Sequence, residues 1–471
     1  MAKKKDKLSF TARSLADFSD KSAELTGSNW LQTSAEAVKI NSVKLWTGFY
    51  ELDMILYGGV PYGKFFEVYG PDSSGKTLLA MCVAARALRT CRECVTPIME
   101  FVDYETGDLL TVCRCHKNSP MNVIYADPEN KADHNWGQIN GWPKKGDPLE
   151  KHFRVGSPSS ADFLSDMTRI AIKSKVLDLL VADSWAALFP ESREGRTAME
   201  QQPGDHAKAI QNLLNGILHE NIKNQNEGAH KTTIFGINQI RSKIGGYGNP
   251  ETTPGGWFLK YIDTGKGRML SPKTNEGIQN PKMTGQGEHY VDFNFKLEKA
   301  AFGVGKGSVA GWRIYNRRYG DNMPGDTNEP VRMQKDLKAL GFVEKTKKGY
   351  KLLGLEFPTV TTMVKALQTP AMQWAVRFAV MYRTTTPETR QYIDVNRFDY
   401  NPYYRFDLGE EKENADGRFT QEIKLVRRES PTKRSVSKKR AKRIKKAIDV
   451  VEATVQKALS ELGTPISEGD E

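Results

Sequence analysis

The chain has 471 residues, of which 38% are hydrophobic and 27% charged, with 40 Gly and 22 Pro. That apolar content excludes a wholly disordered chain, and no stretch approaches the roughly 18 uninterrupted apolar residues of a membrane span. The net charge of +12 is concentrated, because twelve Lys and Arg against Glu422 and Glu429 place +10 between Gln421 and Lys446.

The start, MAKKKDKLSF, is basic without an apolar stretch behind it, so a secretory leader is not expected and a cytoplasmic location without membrane contact is. Residues 1–45 are polar, with one helix expected around 11–25. Short apolar runs follow: FFEVYG (65–70), MNVIYAD (121–127), VLDLLVAD (176–183) and TTIFGINQ (232–239). Runs of this length and composition predict strands buried on both faces. Helix-length segments at 76–89, 160–174 and 205–224 separate them, and this alternation predicts an α/β fold with a mainly parallel sheet over 46–325.

A second, smaller α+β unit is expected over 326–408. Its stretch 336–353 reads as a helix followed by a hairpin turning at LysLysGly, and helix resumes to about 382. The sequence GEEKENADG (409–417) reads as an acidic linker to a basic tail, 409–471 in all. Within that tail, Ala441, Ile444, Ile448, Val451, Val455, Ala458 and Leu462 repeat at spacings of three and four, and Gly463 and Pro465 then supply a stop. A helix is predicted, with its Lys and Arg crowded at the end where the helix dipole disfavours them. Such a helix suits a polyanion, and duplex DNA is the expected ligand because few aromatics are present for stacking. A packing helix with a solvated end is the alternative.

GPDSSGKT at 70–77 matches G-x-x-x-x-G-K-[ST]. In this pattern successive backbone N–H groups converge on phosphate oxygens, a lysine (Lys76) reaches the β- and γ-phosphates, and a hydroxyl (Thr77) binds Mg2+. The motif directly follows a predicted strand and opens a predicted helix, as the chemistry requires. Asp183, closing VLDLLVAD, is the expected second Mg2+ group. Of the two acids ending MNVIYADPE, Asp127 and Glu129, the latter is the expected activator of water.

Four of the five cysteines fall together as Cys91-x2-Cys94, eighteen residues, then Cys113-x-Cys115-His116. The intervening PIMEFVDYETGDLLTV reads as two strands about a turn. Two cysteine knuckles joined by a hairpin outline a zinc ribbon inserted over 90–119, with His116 able to replace Cys115 as the fourth ligand.

Three further stretches carry a resemblance. TGFYELDMILYGGVPYGKFFEVYGPDSSGKT (47–77), VADSWAALFP (181–190) and FGINQIRSKIGGYGNPETTPGGWFLKY (235–261) resemble the core of bacterial and phage RecA-type recombinases, in order and spacing. The resemblance implies a RecA-like P-loop ATPase core over 46–325, preceded by a polymerisation segment. Gly70, Pro71, Asp72, Ser73, Ser74, Gly75, Lys76 and Thr77 would hold ATP and Mg2+. Glu129 would activate water, Asp183 would support the metal, and Asp133 and Trp136 would hold and stack the adenine. Gln239 would link the γ-phosphate to the second DNA loop, whose Arg241, Lys243, Gly245, Gly246, Gly255 and Gly256 would meet single-stranded DNA. The first DNA loop is expected near 191–204. The family presents two lysines separated by one residue to the neighbouring subunit's γ-phosphate, whereas this chain has FKLEKAA, with Lys296 and Lys299 separated by two residues. The implied activity is ATP-dependent filament formation on single-stranded DNA, homologous pairing and strand exchange, in a bacterial or phage-infected cell. The alternatives are a ring-forming branch-migration or helicase-type ATPase and a non-enzymatic DNA-coating mediator.

Overall fold

The computed structural model describes residues 11–28, 30–34, 36, 43–102, 109–191, 204–227, 230–242, 251–255, 258–259, 262–272, 290–300, 306–316, 318, 322–384, 404–413 and 419–427. The first elements are α1 (Leu15–Thr26), β1 (Lys44–Leu45), α2 (Tyr50–Ile55), β2 (Val60–Pro61), β3 (Phe65–Gly70) and α3 (Lys76–Ala87). They are followed by β4 (Met99–Val102), β5 (Leu109–Val112), β6 (Val123–Ala126), α4 (His134–Ile139), β7 (Phe153–Gly156), α5 (Ala161–Lys173) and β8 (Leu179–Ala182). Next are α6 (Asp205–Asn226), β9 (Thr233–Gln239), β10 (Arg241–Ser242), β11 (Glu251–Thr252), β12 (Gly265–Met269), β13 (Tyr290–Ala300) and β14 (Val309–Tyr315). The remainder comprises α7 (Glu329–Ala339), β15 (Val343–Thr346), β16 (Gly349–Leu352), β17 (Leu355–Phe357), α8 (Val360–Leu367), α9 (Pro370–Thr384), β18 (Tyr404–Glu413) and β19 (Phe419–Arg427).

Among the described residues, eight strands form one sheet in the order β14-β13-β12-β3-β9-β8-β6-β7. The pairs from β12 to β7 are parallel, and β13 and β14 finish one edge antiparallel. Side chains alternate across the sheet although both faces are apolar. Phe65 joins Leu180, Leu213 and Ile217 beneath α5 and α6, whereas Phe66 and Val68 join Leu79, Val83 and Ala84 beneath α3. The predicted α/β core thus forms, with its helices on both faces. Strand 176–183 shortens to Leu179–Ala182 because its first residues serve the turn. There the buried Asp178 carboxylate accepts the Asn122 N–H at 2.8 Å and pairs with Arg92 at 3.2 Å.

The C-terminal unit has its own core, which includes Met333, Leu337, Leu352, Met363, Leu367 and Val376. Its hairpin turns at the expected lysines, with a third strand, β17, added. One expectation needs correction. Residues 409–413 do not form a linker but extend β18, which pairs antiparallel with β19. Pairing with β19 outweighs the acidic composition, and Ile423 is buried in the C-terminal core. Lys424 and Arg427 therefore belong to a strand. The tail with the heptad stripe lies outside the described residues.

A buried cation joins this unit to the sheet domain. Arg377 on α9 donates from Nη2 to the Gly48 carbonyl at 3.0 Å and from Nε to Asp53 Oδ2 at 3.3 Å. Its guanidinium also lies 4.6 Å from the centre of the Trp46 ring. Nearby, burial pushes the Glu329 carboxyl up to about 7 despite the Arg377 charge and the Tyr50 N–H that it accepts.

Candidate active site and metal centre

Parallel pairing brings several strand ends to one edge. Gly70 is in register with Gln239, and Ala126 with Ala182, so β3, β9, β8 and β6 open a crevice at their carboxyl ends. Ligands of open parallel sheets bind at such an edge. The chain leaves β3 through a tight loop in which Ser73 has φ 58° and Gly75 φ 87°. A Cβ on Gly75 would lie 2.3 Å from the Phe293 ring, so glycine is required there by space as well as by conformation. A Cβ on Gly70 would meet the Met269 carbonyl at 2.5 Å.

The loop is built for an anion. Lys76 Nζ folds back to the carbonyls of Gly70 and Pro71, at 2.9 and 2.6 Å, and burial lowers its pKa. Ser74 Oγ is buried with no hydrogen-bond partner, an orphan donor that a phosphate oxygen would satisfy. Beside the loop lies a cleft of about 240 Å3, whose lining includes Asp72, Ser73, Lys76, Thr77, Asp183 and Gln239.

Two carboxylates in that cleft differ in environment. Burial raises the pKa of Asp183, although the hydroxyls of Thr77 and Tyr125 donate to it, the latter at 2.8 Å. Glu129 Oε1 accepts from Ser184 Oγ at 2.9 Å and from Gln239 Nε2 at 3.0 Å, and its Oε2 pairs with Lys131 at 2.6 Å. Burial alone would raise Glu129, but Lys131, Ser184 and Lys76 together hold it below the usual carboxylate value. The other acid of MNVIYADPE is spent on structure, since Asp127 is buried and its carboxylate caps the Ala132 N–H at 2.7 Å.

The structure thus gathers Lys76, Thr77, Glu129, Asp183 and Gln239 about one space. It does not gather all the expected residues. Asp133 caps α4, accepting from the N–H groups of Asn135 and Trp136, and the Trp136 side chain packs against the core. Neither lines the cleft. Lys299 pairs with the buried Asp263, and Lys296 is exposed on β13. Arg241 is exposed and opens β10, which pairs with β11, and Gly255 has φ 97°. Lys243, Gly245, Gly246, Gly256 and nearly all of 191–204 lie outside the described residues.

Sequence reasoning missed the supporting side chains. Tyr125, Ser184 and Lys131 contact the two cleft carboxylates. Asn238 donates to Glu67 Oε1 at 2.7 Å and to the Pro254 carbonyl at 2.9 Å, and Lys266 pairs with Glu67 at 2.6 Å. Buried Glu67 and Asn238 interrupt otherwise apolar strands, and that was the available signal.

The cysteine hairpin forms as expected, with β4 antiparallel to β5. The sulfurs of Cys91, Cys94, Cys113 and Cys115 lie within 4.8 Å of one another, and Cys115 is 3.6 Å from both Cys91 and Cys113. Tetrahedral zinc with Zn–S near 2.3 Å has sulfur edges of about 3.8 Å, so the donor set fits. Val95 and His116, with φ 52° and 60°, turn the two knuckles, and the Asn118 N–H donates to Cys113 Sγ at 3.3 Å. Cys115 completes the cluster, and His116 is not part of it. Among the described residues no helix is long and apolar enough to cross a membrane.

The RecA N-terminal domain family matches residues 26–107 and 109–266, so the similarity begins upstream of the expected core. Curated relatives named Protein RecA include that of Nitratidesulfovibrio vulgaris, 30% identical over 236 residues, with 49% of this chain and 54% of the relative covered. The Helicobacter pylori protein is 31% identical over 247 residues, covering 50% and 58%, and that of Helicobacter hepaticus 33% over 229, covering 47% and 53%. The chain spans about half the length of the curated relatives it matches. Half of its own residues match that domain, with the phosphate loop and both cleft carboxylates inside the matched region, and the chain belongs to the RecA family.

Proposed function

We propose that this chain is an ATP-dependent DNA recombinase that assembles as a helical filament on single-stranded DNA and catalyses homologous pairing and strand exchange. One observation carries the reading. Gln239 contacts Glu129 in the cleft, and two residues later Arg241 opens both the β10–β11 hairpin and the expected DNA loop, 241–257. The terminal phosphate and the DNA strand would therefore act on one strand end.

The roles follow from position. Lys76, Ser74 and the loop N–H groups hold the polyphosphate, and Thr77 and Asp183 hold Mg2+, which neutralises phosphate charge when bound. Glu129 orients the attacking water and takes its proton. Gln239 reports the γ-phosphate to the hairpin. Lys296 and Lys299 are assigned to the subunit boundary, Asp133 and Trp136 to the adenine end, and the basic tail beyond Arg427 to duplex DNA.

Negative-stain microscopy with single-stranded DNA and a non-hydrolysable ATP analogue tests the assembly, and joint-molecule formation with a homologous duplex tests the activity. Nucleotide-dependent helical filaments and joint molecules are expected. Closed rings would favour a translocating ATPase, and coating that ignores nucleotide would favour a mediator.

The four cysteines are assigned to one structural Zn2+. Protein purified without chelator should carry about one zinc per chain, and Cys91→Ser should lose it while still binding ATP, because the ligands sit on their own hairpin. Elemental analysis that finds no zinc would remove the metal from this account.

A further inference from the structure

Lys131 stands in the crevice without a role in the scheme above. Its side chain is 77% exposed, yet its Nζ lies 2.6 Å from Glu129 Oε2, and it lines the same cleft as Lys76, Thr77 and Asp183. An ion pair so exposed adds little to stability, so the fold has little need of it. What it touches is the carboxylate assigned to the attacking water. Lys299, one of the two lysines expected to serve a neighbouring subunit's phosphate, is engaged within its own chain by Asp263, whose side chain is fully buried.

We propose that Lys131 is a cis-acting positioning residue for Glu129: it pairs with the carboxylate and, when ATP enters, transfers its ammonium to the terminal phosphate oxygens, freeing Glu129 for water. The inference rests on the ATPase reading of the same site. Three anionic phosphate oxygens outcompete one carboxylate for an ammonium on a flexible stem, and the exposure of Lys131 leaves that stem room to move. Water then attacks the γ-phosphorus and passes a proton to Glu129 as the bond to the β-phosphate oxygen breaks. ADP and phosphate leave, and Lys131 neither gives nor takes a proton.

The electrostatics around Glu129 make Lys131 separable from its neighbours. Lys76 from α3 and Lys131 from the loop favour the ionised carboxylate, and Ser184 after β8 donates to it, as does Gln239 from β9. Asp183 after β8 lies close enough for mutual repulsion with Glu129, and Asp127 after β6 and Asp72 in the phosphate loop add negative charge nearby. Burial opposes ionisation, and Lys131 is the foremost of the groups that overcome it. Removing Lys131 therefore moves the Glu129 titration upward, while Lys76 stays with the phosphates.

The test is steady-state ATP hydrolysis by the full chain with single-stranded DNA, between about pH 4 and 8, for the parent, Lys131→Ala and Lys131→Arg. Lys131→Ala should lower kcat about tenfold with a smaller change in KM, and shift the acid limb of kcat/KM to higher pH. Lys131→Arg should restore the limb and most of the rate. Melting temperature should be unchanged in both, since the side chain is exposed. A Lys131→Ala protein with the parental kcat and acid limb overturns the inference and leaves the ATPase reading standing. A parent that hydrolyses no ATP overturns both.

Discussion

Glu129→Gln should bind ATP and remain on single-stranded DNA while hydrolysing ATP at least about 100-fold more slowly than the parent, the loss typical of a missing general base. The amide keeps the size of the carboxylate, and its oxygen can still accept from Ser184 and Gln239, as Glu129 Oε1 does at 2.9 and 3.0 Å. What it cannot do is take a proton from water. Lys76→Ala should do the reverse and weaken nucleotide binding by at least about 100-fold, because a charge-assisted contact to the phosphates disappears. Fluorescent-nucleotide binding and single-turnover hydrolysis separate the two variants. Hydrolysis by Glu129→Gln at the parental rate would transfer the water-activating role to another group of the cleft.

Arg377→Ala should destabilise the chain by about 3–5 kcal/mol, the usual cost of stranding a buried partner, and lower the melting midpoint by about 10 °C. The substitution removes the cation facing Asp53 and Glu329 and the donor that satisfies the Gly48 carbonyl. Burial already raises both carboxyls, Glu329 to about 7, and Arg377 is the charge that opposes this. A carboxyl with a raised folded pKa contributes stability that is complete below its unfolded value and is lost as pH rises through the folded value. The deficit of Arg377→Ala should therefore be smallest in acid, where Glu329 is protonated, and grow through pH 7. Thermal melts of parent and variant at about pH 5 and pH 8 measure this. An equal loss at both would mean that packing over Trp46, not charge, is what Arg377 supplies.

The two sites were legible in the chain to different degrees. GPDSSGKT is local chemistry, since a loop that cradles phosphate needs glycine and serine at fixed spacing whatever surrounds it. The cysteine pairs are local for the same reason, although only the fold chose Cys115 over His116 by turning the second knuckle at His116. Asp183 and Glu129 could be proposed from strand ends. The sequence already favours Glu129 over Asp127, and the structure adds the reason, because the capping of Ala132 by Asp127 depends on how the chain leaves β6.

The sequence by itself determined four strands of the main sheet, β3, β6, β8 and β9, their order along the chain and the phosphate loop, because burial on both faces and backbone conformation act over a few residues. It misjudged 409–413, where acidic composition stood in for a strand whose partner, β19, must be seen to be recognised. Contacts between distant residues were decided only in three dimensions. Gln239 meets Glu129 across 110 positions, Glu67 meets Lys266, and Arg377 closes on Asp53, each because parallel pairing and helix packing bring strand ends and faces together. No local periodicity encodes such pairs, since the energy that selects them is the desolvation of polar groups with only one another for partners.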